Sequence, residues 1–334
     1  MRIFSKSGLW IQGEKQSIGI DLRNGKKNPA FSLISHAHSD HYSTGNKNAL
    51  ATAETIALIQ NNKPSFNHCK AVSFEKKQAI GETTVALHNA GHVLGSSQIA
   101  LETEGKKILV TSDFNPIESI LFKAAKPLAC DWLVMETTFG MPEYSFPERE
   151  TVHQEIGKWV QQNVKQNRFT ILTGYSIGKA QELTRICNAY ANEVPLVHEK
   201  IFLHNQTYEK FGTKLGKFLK LDHNLKEANV LILPPTLLDK NIVPALEYSL
   251  GKKVVTAMAT GWNHRNGFDK VFPLSDHADY SHLLEFVQEC KPKQVYTMHG
   301  FAKEFAATVQ RKLKIPARAL GEKSQLSLAE FEFA

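Results

Sequence analysis

Between Phe31 and His41 the chain reads Phe-Ser-Leu-Ile-Ser-His-Ala-His-Ser-Asp-His, and no other stretch restricts its possible folds as much. The apolar run Phe31 to Ile34 predicts a short buried strand, and it stops abruptly in a polar loop. That loop carries His36, His38, Asp40 and His41 within six residues. His36 and His38 are two apart, so in extended backbone their rings point the same way. Asp40 and His41 follow at once and can turn toward a second point in space. Neutral imidazoles and carboxylates are good ligands for first-row metals, and aspartate oxygens can bridge two ions.

Further chemistry sits at the ends of other predicted strands. Ser17-Ile-Gly-Ile-Asp21 closes on a carboxylate, and Val85 to Asn89 runs into Gly91-His92-Val-Leu-Gly95. Two glycines around one histidine suit a tight backbone that carries a side chain into a crowded site. Lys107 to Asp113 is a buried strand delivering a carboxylate, Asp131 to Glu136 closes on Thr-Thr-Phe-Gly, and Gln294 to Met298 ends in His299-Gly300. A helix is expected from Pro147, with Ser145 as its cap and Val152, Ile156, Trp159 and Val160 on its buried face. The segment Gly174-Tyr-Ser-Ile-Gly178-Lys179-Ala180 is no phosphate loop: only three residues separate Gly174 from Gly178-Lys179, and Ala180 stands where Ser or Thr would hold magnesium.

In order and spacing these motifs resemble the metallo-β-lactamase superfamily. The resemblance implies an αββα sandwich, in the α/β class, with metal bound at its edge. It implies that His36, His38, His92 and Asp113 hold a first ion, and that Asp40, His41, His299 and the shared Asp113 hold a second. The cofactors are then two divalent ions, zinc or manganese. Asp21 would orient a ligand imidazole from behind. The run Gly178-Lys-Ala-Gln-Glu-Leu183 resembles the opening of the β-CASP region of the nucleases in this superfamily. On that likeness Glu182 is an acidic catalytic residue, and His277, in Ser-Asp-His-Ala-Asp-Tyr, stands beside the scissile phosphate with Glu182 holding its tautomer.

The implied organisation is a catalytic domain of residues 1–181 and 275–334 with a small α/β β-CASP cap, 182–274, inserted. Within the cap, Gly261-Trp262-Asn-His-Arg265-Asn-Gly has the composition of a phosphate or base contact, so Trp262, Arg265 and Lys179 are candidate substrate-binding residues. The whole chain is most similar to the bacterial ligase-associated DNA exonucleases, which implies single-stranded DNA as substrate and association with an ATP-dependent ligase and a helicase. Histidine at position 299 is shared with the RNA-processing branch, so a β-CASP ribonuclease is the alternative. A small-molecule hydrolase of this fold would lack the cap and the His277 motif.

Charge and composition agree with a polyanionic substrate without requiring one. Lys and Arg number 40 against 33 Asp and Glu, a net +7 over 334 residues. The four cysteines include no C-x-x-C, which points to reduced thiols rather than a zinc ribbon. The first residues lack an apolar signal core and no run approaches 18 apolar residues, so a cytoplasmic protein with no membrane partner is expected.

Overall fold

The computed structural model describes residues 1–23, 29–45, 48–222, 225–262 and 267–321. It divides into two compact units, each with its own core. The first comprises 1–118, 122–145 and 277 onward, and the second comprises 119–121 and 146–276.

The first unit is built on two sheets. One has six strands in chain order from Arg2–Ser5 to Cys69–Ala71, antiparallel at the start and parallel from Ser17–Ile20 onward. The other has seven, ordered Ala317–Ala319, Gln294–Met298, Trp132–Glu136, Lys106–Val110, Ser97–Thr103, Thr83–Asn89 and Gln78–Ile80. Alternation along the strands decides which residues meet. Ile108, Val110, Val134 and Tyr296 join Ile11, Ile18, Ile20, Phe31 and Leu33 in the core between the sheets. Their neighbours Leu109, Leu133, Met135 and Val295 face the opposite way. There they meet Leu283, Phe286 and Val287 of helix Tyr280–Cys290 and Phe305 and Val309 of helix Ala302–Leu313. A third helix, Ala53–Asn62, is capped by Thr52, whose hydroxyl accepts from the Thr55 N–H.

The second unit is a six-stranded, wholly parallel sheet in the order Leu219–Lys220, Leu196–Val197, Val230–Leu233, Phe169–Thr173, Val254–Ala259, Lys270–Phe272. Leu172, Ile232, Ala257 and Phe272 pack on helices Arg149–Lys165 and Lys179–Ile186, while Phe169, Ile171 and Leu231 face helix Ile242–Leu250 on the other side. Both faces are covered, as a parallel sheet requires.

This unit begins at Phe146 and not at Glu182. Strand Phe169–Thr173, which chain order assigns to the catalytic domain, is the central strand of the second sheet, hydrogen-bonded on both sides. The helix before it covers that sheet. Its capping also departs from expectation. It starts at Arg149, and its N-cap Glu148 makes no side-chain cap bond, so Ser145 lies outside it. Val152, Ile156 and Val160 are buried as anticipated, with Trp159 at the margin. Among the described residues no helix is long and apolar enough to cross a membrane.

Candidate metal centre

Loops following three strands of the first unit, one from the six-stranded sheet and two from the seven-stranded sheet, deliver four convergent donors. His36 and His38 follow strand Phe31–Leu33, His92 follows Thr83–Asn89, and Asp113 follows Lys106–Val110. Nδ1 of His38 lies 3.0 Å from Nε2 of His36 and 3.2 Å from Nε2 of His92. Oδ2 of Asp113 lies 3.6 Å and 4.0 Å from those two Nε2 atoms. A tetrahedral ion with bonds of about 2.0–2.1 Å needs donors about 3.4 Å apart. The observed edges bracket that value, so the four side chains fit a divalent cation.

The backbone pays for this convergence in strained and crowded positions. Asp21, Ser112 and His299, all at strand ends, have φ of 51°, 50° and 61°, a region L-residues rarely adopt. Gly95 (φ 75°) allows the His92 loop to reach the start of helix Ala53–Asn62. A Cβ there would meet Glu54 Cβ and Thr52 Oγ1 at 2.6 Å. The hydroxyls of Thr52 and Thr55 instead donate to the Gly95 carbonyl at 2.8 and 3.0 Å.

Asp21 sets the tautomers of two histidines at once. Its Oδ1 accepts the Ser35 N–H at 2.8 Å and its Oδ2 accepts the Ser35 hydroxyl at 2.6 Å. A hydroxyl that donates to Asp21 is left to accept from Nδ1 of His36, 2.9 Å away. His41 places its own Nδ1 2.9 Å from Oδ2 of Asp21. Both rings therefore carry Nδ1–H, and Nε2 is the atom each can offer to a cation.

A second group of potential ligands adjoins the first. Nε2 of His41 lies 3.4 Å from Oδ2 of Asp113 and 3.5 Å from Oδ2 of Asp40. Asp40 is half exposed, and Arg23 holds it, with Nε donating to its carbonyl at 2.8 Å and the guanidinium 3.6 Å from its carboxylate. The His299 ring is 5.9 Å from that of His41, centroid to centroid, and its carbonyl accepts from the Thr137 hydroxyl at 2.7 Å. These four side chains are looser than the first set. Among the described residues, the donor groups within 4.8 Å of one another are His36-His38-His92-Asp113, Asp21-His36-His41 and Asp113-Glu136-His277.

Electrostatics divide the histidines. Burial, then the neighbouring His41 and His38, push the His36 pKa well below the ordinary value, which keeps it in the neutral, ligating form. Burial also opposes charge on His41, but Asp113, Asp40 and Asp21 surround it and raise its pKa well above that of a free imidazole. Burial disfavours the Asp113 carboxylate in turn, yet His41, with His277 and His36, holds its pKa well below the usual range.

His277 borders this group, its ring 4.6 Å from that of His92. Its Nδ1 lies 2.7 Å from Oε1 of Glu136, a buried carboxylate at the end of strand Trp132–Glu136. Glu136 also accepts the N–H groups of Phe114 (3.2 Å) and Thr138 (3.0 Å), which fixes its orientation. The hydrogen bond expected from Glu182 to His277 is thus made by Glu136. Glu182 is buried and otherwise engaged. Arg149 grips it through Nε at 2.7 Å and Nη2 at 2.6 Å, and Nε2 of His153 is 2.8 Å away. The signal for Glu136 was a carboxylate at a strand end, the same signal that marked Asp21 and Asp113.

Lys179 is a second correction. Its ammonium is 3% exposed, paired with Asp276 at 2.8 Å and donating to the Leu274 carbonyl at 2.8 Å, so it has no reach to a substrate strand. Trp262 is half-buried, its backbone N–H donating to the Thr260 hydroxyl at 3.1 Å. Arg265 lies outside the described residues.

A two-sheet sandwich with strand-end histidines and aspartates, interrupted by a separate parallel α/β unit, defines the class: this chain is a metallo-β-lactamase-fold protein of the β-CASP group. Residues 270–320, which include His277 and His299, match the family described as Zn-dependent metallo-hydrolase RNA specificity domain. The chain is 36% identical over 309 residues to a probable DNA ligase of Opitutus terrae, covering 89% of this chain and 29% of the ligase. It is 24% identical over 360 residues to an RNase J-like protein of Methanocaldococcus jannaschii, covering 85% of both. A crystallised protein of unknown function from Enterococcus faecalis V583 shares the fold, with a TM-score of 0.66 and 12% identity over 96% of this chain and 97% of that one. The chain thus spans less than a third of the ligase it matches.

Proposed function

We propose that this protein is a metal-dependent phosphodiesterase, an exonuclease that shortens single-stranded DNA from an end. The observation that carries the reading is the convergence of His36, His38, His92 and Asp113 beside a histidine, His277, whose Nδ1 is tied to a buried carboxylate. Those four residues would hold one divalent ion, and Asp40, His41, His299 and the shared Asp113 a second, with zinc or manganese suited to mixed nitrogen and oxygen donors. Bound there, the ions would supply an activated water and neutralise charge growing on the phosphate. The side chains have their own tasks. Glu136 holds the proton on Nδ1 of His277, so Nε2 is the atom that exchanges a proton with the phosphate or the leaving oxygen. Asp21 and Ser35 keep His36 and His41 in their ligating tautomers.

Similarity to a ligase favours DNA as substrate and, with the resemblance to ligase-associated exonucleases, action alongside a ligase and a helicase. The RNA-processing reading has a specific observation behind it, because the matched RNA-specificity family spans both His277 and His299.

The test is hydrolysis of end-labelled DNA and RNA strands of one sequence, single- and double-stranded, in a series of divalent metals. Progressive release of short products from one end of DNA is expected. Equal cleavage of circular single-stranded DNA would remove the exonuclease part, and faster turnover of RNA would replace the DNA assignment with the ribonuclease.

A further inference from the structure

The first unit is discontinuous. Its chain leaves at Ser145 and returns at His277, with most of the second unit in between. Cys130 lies before the departure and Cys290 after the return. In the fold these two residues meet: the Cys130 N–H donates to the Cys290 carbonyl at 3.2 Å, and the thiols are near enough for Cys290 to influence the ionisation of Cys130. The contact continues into the next residues, where the Asp131 carbonyl accepts from Lys293 N at 2.8 Å and Gln294 N at 3.2 Å. A backbone bond between the same two residues brings their Cα atoms close, which is the first geometric demand of a disulfide.

The two cysteines also flank elements adjoining the His277–Glu136 pair. Cys130 precedes strand Trp132–Glu136, whose far end is Glu136, and Cys290 closes helix Tyr280–Cys290, which begins just after His277. Cys290 is buried, while Cys130 is half-buried and lines a cavity of about 180 Å³ bounded also by Lys77, Glu102, Lys107 and Leu128. A small oxidant therefore has a way to one residue of the pair.

We infer that Cys130 and Cys290 form a disulfide on exposure to a peroxide, a covalent staple across the two chain segments of the first unit. The Cys130 sulfur attacks one peroxide oxygen, the O–O bond breaks, and a sulfenic acid and one water result. The Cys290 thiol then displaces the hydroxyl of that sulfenic acid, which leaves as a second water. Two thiols and one hydrogen peroxide thus give one disulfide and two waters. The adjacent Cys290 thiol and then burial push the Cys130 pKa up, so the reaction is slow at neutral pH and quickens with alkali. Cys69 and Cys187 have no place in it: Cys69 is on strand Cys69–Ala71, and Cys187 is buried in the core of the second unit.

The test uses the full chain, reduced and then treated with hydrogen peroxide, with free thiols blocked before digestion under non-reducing conditions. A linked peptide pair containing Cys130 and Cys290 is expected, together with loss of two of the four thiols and a melting temperature that rises and returns on reduction. Cys69→Ser should keep that reversible rise, and Cys130→Ser and Cys290→Ser should abolish it. Four thiols still titrating after peroxide, oxidation of Cys130 to sulfinic acid without the linked pair, or a linkage through Cys69 or Cys187 would each overturn the inference. Mapping on the wild-type chain decides the matter even where a serine variant folds poorly.

Discussion

At the scale of single residues, two carboxylates orient three histidines of the site. His277 is aimed by Glu136 at 2.7 Å, and His36 and His41 by Asp21, directly or through Ser35. His277→Gln should lower the rate of phosphodiester hydrolysis by about 10²–10⁴-fold, the usual worth of general acid–base assistance, while leaving the metal content unchanged. Single-turnover kinetics beside elemental analysis checks this, and loss of one metal equivalent would make His277 a ligand. Protonation gives a second expectation. His41 has a raised pKa and must be neutral at Nε2 to bind a cation, so metal uptake should release protons and affinity should rise with pH. Calorimetry in two buffers of different ionisation enthalpy would measure that release, and identical heats in both would exclude it.

At the scale of elements, buried charge sets where the second unit begins and ends. Arg149, in the first turn of helix Arg149–Lys165, binds Glu182 through two bonds, contacts Asp276 at 3.1 Å and donates to the Ser275 carbonyl. Arg149→Met would leave the buried Glu182 carboxylate without its two guanidinium bonds, at a cost of about 3–5 kcal/mol. Urea denaturation of the variant should show a midpoint lowered to match. Helix Tyr280–Cys290 carries a milder, pH-dependent device. Asp279 caps it by accepting the His282 N–H at 3.0 Å, and its carboxylate also bonds the His282 ring at 2.7 Å, which raises the His282 pKa. A raised histidine contributes stability that is complete below its unfolded pKa and vanishes as pH climbs through the folded one. The melting-temperature deficit of His282→Gln should therefore be larger near about pH 5.5 than near about pH 8.5. An equal deficit at both would show that the ion pair adds nothing.

At the scale of the whole molecule, a net charge of +7 should appear as salt-dependent affinity for single-stranded nucleic acid. The logarithm of the binding constant should fall linearly with the logarithm of salt concentration, with a slope that counts the phosphates neutralised. A slope near zero in fluorescence-anisotropy titrations would remove the polyanion reading of the charge excess.

The loops that bring the candidate donors together are legible in the amino-acid order because each donor lies within a few residues of the strand that presents it. His36, His38, His92 and Asp113 need only a strand, its end and a turn, and all three are written in local pattern. Pairings between distant segments are not. Glu136 and His277 are separated by 141 positions, and no period or motif states that these two meet, whereas motif likeness assigns the bond to Glu182. The start of the second unit at Phe146 depends on which strands exchange hydrogen bonds with Phe169–Thr173, and the burial of Lys179 against Asp276 depends on a residue 97 positions away. The contact between Cys130 and Cys290 has the same character, since reduced, scattered cysteines are all that spacing can report. Local sequence dictates what each loop offers, because turn chemistry and alternation act over a few residues. Only the packed structure decides which offers meet, because burial and hydrogen bonding act between segments far apart in the chain.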